Sequence, residues 1–392
     1  MGGKAALLVV FGLTFLFSAY QLKTGSVSSR AAENLSAFYA QRTVHQIAVS
    51  GLNISAAKLY EDNTWRGPMQ NIAFRGGEFS LGFQTNGDTL AVSSMAQYGS
   101  NYDTVIAFFS LENAYTKYTW FTANENGVSW TDQDTVWGPM HTNSTLNHQN
   151  KNTIVFNGKV TAGKGISAPP KNANTQFLGG YEVGAEIPLV TNMNDLIAGA
   201  ASGGYTFATP ASLMKIEFNN DGTLDIYRDS IRIGDDVTFS VLAPNGAIYS
   251  AGDIEIFGPG LVNTPAGGVT IGAGNNVILQ KQITYADNPI TNPNSDDLLA
   301  LVAWNEIIID NQTITDWNVQ CVMMSINEGL TATNMNKNGT FNYLGSIYQD
   351  VRGNAKMFQS FMKKFRHDER LNTITPPFYP GASDLQLLAW WE

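Results

Sequence analysis

The residues that could do chemistry are few and scattered. The stretch "DNPITNPNSDD" at 287–297 is rich in oxygen donors, and Asp287, Asp296 and Asp297 are the residue type that holds Ca²⁺. Asn, Asp and Pro at this density are also turn formers, so the plainer reading is a solvated loop. The histidines are His45, His141, His148 and His367. Only His141 and His148 are neighbours, and a spacing of seven matches no metal pair on a helix or strand, so surface positions are expected. Cys321 is the one cysteine, which excludes an intrachain disulfide; in the apolar run "VQCVMMS" it reads as a small core residue. No G-x-S-x-G turn or phosphate-cradling glycine loop occurs. The expectation is a protein that is not an enzyme, with no catalytic residue, no metal ligand and no cofactor.

Composition narrows the partners. The chain has 392 residues, of which 43% are hydrophobic and only 14% charged, with a net charge of −10. A surface of this kind repels phosphate backbones, so nucleic acid is not an expected partner. The densest basic patch, "KKFRHDER" at 363–370, is interrupted by acids and reads as a solvated turn.

The elements that would carry function begin at the N-terminus. Ala5 to Leu22 is uncharged and almost wholly apolar, bracketed by Lys4 and Lys23. Eighteen residues of helix span about 27 Å, close to a bilayer core. A secretory signal needs a small-residue cleavage site soon afterwards, and "SAYQL" supplies no clean one. The helical pattern instead continues: Leu35, Phe38, His45, Val49, Leu52, Ala56 and Leu59 recur at spacings of three, four or seven, and the first proline is Pro68. One helix is expected from about Ala5 to Asp62, greasy all round in its first third and on one side thereafter. Leu7, Leu8, Val9, Val10, Phe11, Leu13, Phe15 and Leu16 then form an assembly surface, while Leu35, Phe38, Val49, Leu52 and Leu59 pack on a domain.

This segment resembles the bacterial type IV pilin and pseudopilin family. The resemblance implies a membrane-held subunit that later enters a helical bundle at a filament centre, with sister copies replacing lipid. The family usually has glutamate at the fifth position of the mature chain; here it is Ala5, and Lys4 reverses the local sign. Met1 is left open between a mature N-terminus and an initiator. A plain single-span anchor is the simpler alternative.

Beyond the helix, residues 63–130 read as an antiparallel meander packed on it, with a hairpin at "TNGDT" in "EFSLGFQTNGDTLAVSSMAQYG" and a third strand in "YDTVIAFFSLE". Residues 131–170 and 234–392 have short apolar runs between Gly and Asn. Ile248, Ile254, Val262, Val269, Val277 and Ile283 step by six to eight, which predicts three strands per coil of about 22 residues, the mark of a parallel β-solenoid. Residues 171–233 read as an insertion with a short helix near Met193–Ala201 and a hairpin at Asp221-Gly222 that covers an end or flank of the solenoid. The fold class is therefore α+β: a long N-terminal helix, a small antiparallel sheet and a β-solenoid.

"TVWGPMHTNSTL", "NPNSDDLLALVAWNEIIID" and the ending "ERLNTITPPFYPGASDLQLLAWWE" resemble a family of uncharacterised bacterial surface proteins with pilin-type N-termini. That resemblance covers most of 130–392 and implies no reaction. Trp390 and Trp391 are expected to cap the solenoid end. The reading that results is a filament subunit, a homopolymer held in the inner membrane before assembly and extracellular after it. A minor pilin or tip adhesin binding surface glycans is the second reading. A membrane-anchored polysaccharide enzyme is the third, weakened by the sparse Arg and Lys on the predicted strands.

Overall fold

A computed structural model describes residues 2–61, 65–67, 69–86, 89–110, 115–130, 133–148, 153–167, 175–184, 186–207, 212–258, 260–311, 313–333, 339–353, 361–381 and 386–391. The chain is α+β, with a long N-terminal helix and many parallel strands, and it divides into two units: 1–112 with 383–392, and 113–382.

In the first unit, α1 (Gly2–Glu61) runs unbroken for 60 residues, about 90 Å of helix. No proline interrupts it and its apolar residues are good helix formers. Its C-terminal part lies on a five-stranded antiparallel sheet in the order Ile72–Phe74, Gly77–Asn86, Thr89–Tyr98, Asn101–Ser110, Gln386–Trp391. The last strand corrects the expected solenoid cap: Trp390 and Trp391 pair with Ala107 and Ile106. A sheet edge offers unpaired backbone groups, and the chain terminus satisfies them.

The buried stripe of α1 is Val44, Ile47, Ala48, Leu52, Ser55 and Leu59, packed against Phe79, Leu81, Val92 and Val105. Val49 borders this core, partly buried. Leu35 and Phe38 do not belong to it; each is more than half exposed, about two and a half and one and a half turns before the stripe begins at Val44. Their spacing puts them on a helical face, but the sheet does not extend that far. Gly51 sits where helix and sheet come closest, since a Cβ there would lie 2.7 Å from the Phe79 ring. Truncating Leu52→Ala should cost about 2–5 kcal/mol by leaving a cavity at this contact, read as a lowered melting temperature of the full chain.

The second unit deals most of its strands among three larger sheets, with a three-stranded and a two-stranded sheet beside them. The broad sheet has ten parallel strands in the spatial order Tyr181–Val183, Val160–Ala162, Met140–Thr142, Trp120–Asn124, Ile347–Val351, Val322–Ser325, Leu299–Ala303, Val269–Ala273, Ala247–Ser250, Tyr205–Phe207. A six-stranded parallel sheet follows the order Thr175–Phe177, Ile154–Phe156, Thr135–Trp137, Phe361–His367, Gly339–Gly345, Asp316–Gln320. A seven-stranded sheet adds the hairpin Met214–Phe218/Leu224–Arg228 and the strand Ile231–Val237 to four parallel strands. Among the described residues none of the sheets closes. Apolar side chains from all three meet in one core that includes Trp130, Trp317, Ile256, Leu279 and Cys321.

Strand partners one tier apart are Ile248 with Ile271, Ile254 with Val277, and Val262 with Tyr285, so the true repeat here is 23 residues. The spacing in the sequence matched this for Ile254 and ran two residues short for the other pairs. Several expected boundaries shift. Trp120–Asn124 and Ser129–Trp130 belong to this unit, not to the meander, and Thr175–Phe177 and Tyr181–Val183 form a further tier, not an insertion. "KKFRHDER" is no solvated turn: Phe361–His367 is an inner strand of the six-stranded sheet, whose pleat buries Lys363 and Phe365 and exposes Lys364 and Arg366.

The order of the broad sheet has an unusual consequence. The chain enters at Trp120–Asn124, in the middle, and winds outward to Tyr181–Val183. It then crosses to the far edge at Tyr205–Phe207 and winds back until Ile347–Val351 pairs with Trp120–Asn124. The crossing segment, with α2 (Asn194–Gly203), covers the outer face of the broad sheet. Val190, Met193, Leu196 and Ala200 pack there on Ala300, Val302 and Met324.

The seam where the two halves meet carries buried charge. Arg352 donates to Glu125 at 2.6 Å, both buried, with the guanidinium 4.3 Å above the Trp130 ring. Lys363 pairs with buried Asp134 at 3.1 Å, and Gln349 Nε2 donates to Thr122 at 3.0 Å. Burial raises the Glu125 carboxyl against the lowering effect of Arg352, and burial lowers the Lys363 amine against the raising effect of Asp134.

Candidate functional site

The most distinctive surface lies on the N-terminal part of α1. Leu7, Leu8, Val9, Val10, Phe11, Leu13, Phe15 and Leu16 are each 60–75% exposed, all round the helix. The apolar character continues through Tyr20 and Leu22, and α1 is long and apolar enough to cross a membrane. A greasy face this size is not left in water; lipid or other protein must cover it.

The histidines do not lie on the surface as expected. His141, His148 and His367 are buried, and His45 is half-buried with Nδ1 2.8 Å from Asp103. Each buried ring finds a polar partner: His141 reaches Thr161 on the next strand and nearby Asn143, His148 reaches Thr175, and His367 reaches Asn372 five residues on. These bonds run to different residues, and no two of the four rings share one of them.

Burial holds His141 and His367 below the ordinary histidine range, with bonds to Asn143 and Asn372 opposing it. The unfolded chain therefore takes up protons near pH 6.5 before the native state does, and stability is lost as pH falls through that value. These histidines should lower stability, read as melting temperature, below about pH 6.5 by up to about 1.4 kcal/mol per pH unit each, against the burial-raised carboxyls of Glu306 and Asp350, whose contribution has the opposite sign. A chain carrying His141→Gln and His367→Gln with an unchanged pH profile of melting would contradict this.

The oxygen-rich loop is self-satisfied. Asp297 is buried and accepts from the backbone N–H groups of Thr264 and Asp287, both at 2.8 Å; Asp287 accepts from Asn292, and Ser295 donates to the Asp287 carbonyl. Arg370 donates to the Ser295 carbonyl from outside. The loop is a rigid wall. A tighter acidic group is Asp225, Asp235 and Asp236, whose carboxylates approach within 4.8 Å of one another. Arg232 already bridges Asp225 and Asp235, supplying the positive charge that a cation would bring. Cys321 is buried, and that burial pushes its thiol up, away from reactivity.

No protein-family model matches the sequence, and no curated protein matches it. Among solved structures, the chain is similar to the crystal structure of the competence-associated pilin ComZ from Thermus thermophilus, at 12% identity over 90% of this chain and 97% of that one, with a TM-score of 0.32. A score of that size carries no inference about function.

Proposed function

We propose that this chain is a structural subunit of a type IV pilus-like extracellular filament, assembled through its apolar helix. One observation carries the reading. An uncharged, all-round apolar stretch, Ala5–Leu22, continues without a break into a helical segment whose one buried face, Val44 to Leu59, is fixed to a sheet. A plain anchor needs no such rigid continuity. A filament subunit does, because the exposed half must be held at a fixed pose to pack against sister copies. The membrane holds the helix before assembly, and copies of itself hold it after. Phe11, Leu13 and their neighbours are the assembly surface in this reading. The tiered sheets of the second unit are read as a β-solenoid that forms the outer layer. Its open end tiers, with exposed Leu178, Tyr181 and Val183, suit contact with other molecules.

Negative-stain microscopy of sheared cell-surface material, labelled with antibody to this chain, tests the proposal. Labelled fibres are expected. Recovery solely as detergent-extracted monomer from membranes would overturn it. A minor or tip subunit is the second reading, favoured by a groove of about 360 Å³ lined by Trp137, Asn288, Asn318 and Asn342; a labelled tip in place of a labelled shaft separates the two.

A further inference from the structure

The outward face of the six-stranded sheet carries two rows of side chains set by strand register. One row runs Asn318, Asn342, Lys364, Thr135; the next runs Gln320, Leu344, Arg366, Trp137. The loop bearing Asn288 and Ile290 rises beside them and makes a groove of about 360 Å³. The wall is stiff, because the bonds at Asp287, Asp297 and Ser295 lock it. This loop is also why the tier lengthens: Ile271 pairs with Leu301, 30 residues on, where the preceding step takes 23.

The groove holds three kinds of group. Trp137 presents an indole that is 40% exposed, beside a rigid β-strand backbone. Asn342 donates to Asn318 at 3.3 Å, and Asn318 donates to Gln282 at 3.1 Å, an amide ladder oriented before any ligand arrives. Lys364 and Arg366 point out from one strand, and among the described residues neither is in an ion pair. Asp316, the carboxylate on this face, lies in a third row with Thr340 and Met362, at the opposite corner from the cations.

We propose that this groove binds an acidic saccharide chain. An exposed indole stacks on the apolar face of a pyranose ring, as aromatic platforms do on other flat faces. Oriented amides supply both donors and acceptors to vicinal hydroxyls. Two cations match a polymer with about one carboxylate per sugar. The net charge of −10 opposes any polyanion, so selectivity here rests on the local pair Lys364 and Arg366 together with the indole and the amides, which suit sugar rings and hydroxyls and not a phosphate backbone. Lys364 and Arg366 stand two positions apart on one strand, about 6.6 Å, so a chain lying along that strand can set neighbouring carboxylates against them. The inference is independent of filament assembly.

The test is calorimetric titration of the full chain in zwitterionic micelles with a galacturonic acid hexamer, a neutral galactose hexamer and dextran sulfate. Saturable binding of the acidic hexamer is expected, with the neutral hexamer at least about tenfold weaker. Trp137→Ala should weaken binding about tenfold and Trp137→Phe much less, and Lys364→Gln with Arg366→Gln should weaken it more than about tenfold. These side chains are exposed, so an unchanged melting temperature confirms folding in each variant. Absence of saturable binding overturns the proposal, as does binding that both sets of variants leave intact. So does equal affinity for dextran sulfate with Trp137→Ala silent, which would mark a mere ion-exchange surface. Fibre yield, read on the same variants, should not change.

Discussion

Replacing Phe11→Asp, or Leu13→Lys, should abolish filaments while leaving the folded units intact. Both positions are more than 60% exposed and belong to none of the buried clusters. In the proposed bundle each sits among apolar neighbours from sister helices. A charge placed there has no partner, and the effective penalty is several kcal/mol per subunit. Every copy in the fibre bears it again, so even a partial penalty would stop growth. The conservative Phe11→Leu should assemble, which separates loss of packing volume from introduction of charge. The readouts are fibre yield by electron microscopy and the melting temperature of detergent-purified protein. Normal fibres from either charged variant would refute the assembly surface.

The second large effect lies at the seam. Glu125→Ala should destabilise the second unit by about 3–5 kcal/mol, because it leaves the Arg352 guanidinium buried without its counter-charge. Arg352→Ala should cost as much and also removes the cation from the faces of Trp130 and Trp120. Replacing both together, Glu125→Leu with Arg352→Met, should recover most of the loss, since an apolar pair of similar volume avoids the desolvation cost. Thermal or denaturant unfolding of the four proteins gives the comparison. If the double replacement is as unstable as the singles, the pair acts through something other than its charges. Glu125 and Arg352 lie 227 positions apart and join strands that are not consecutive. We read the pair as the device that fixes the register of the two halves.

How much of this was legible in the sequence follows from the range of each interaction. The helix was legible because hydropathy and the lack of proline are local. Its packed face was legible in period but not in extent. Leu35 and Phe38 share the spacing of Leu52 and Leu59, yet spacing says which residues share a face and not where the opposing sheet ends. The tiers were legible where apolar residues recur, and the register slipped by two where Val269 and Ile283 stood in for Ile271 and Tyr285. The seam left no local mark, since it pairs residues from opposite ends of the second unit. The buried histidines were hidden in part for the same reason: Thr161 and Thr175, which meet His141 and His148, lie 20 and 27 positions on, although Asn372 lies only five from His367. The strand in "KKFRHDER" had a legible signal, the alternation of Lys363 and Phe365 with Lys364 and Arg366, which its charge concealed. Trp390 and Trp391 could not be placed from sequence, because any open sheet edge would accept them.

The central claim is that the greasy N-terminal stretch persists in the finished protein and is buried among copies of itself. Peptide mass spectrometry of sheared, washed surface fibres tests it directly. The account predicts that peptides spanning Ala5 to Leu22 are present in those fibres in the same proportion as peptides from the second unit. Fibres whose polypeptide starts downstream of Leu22 would contradict it.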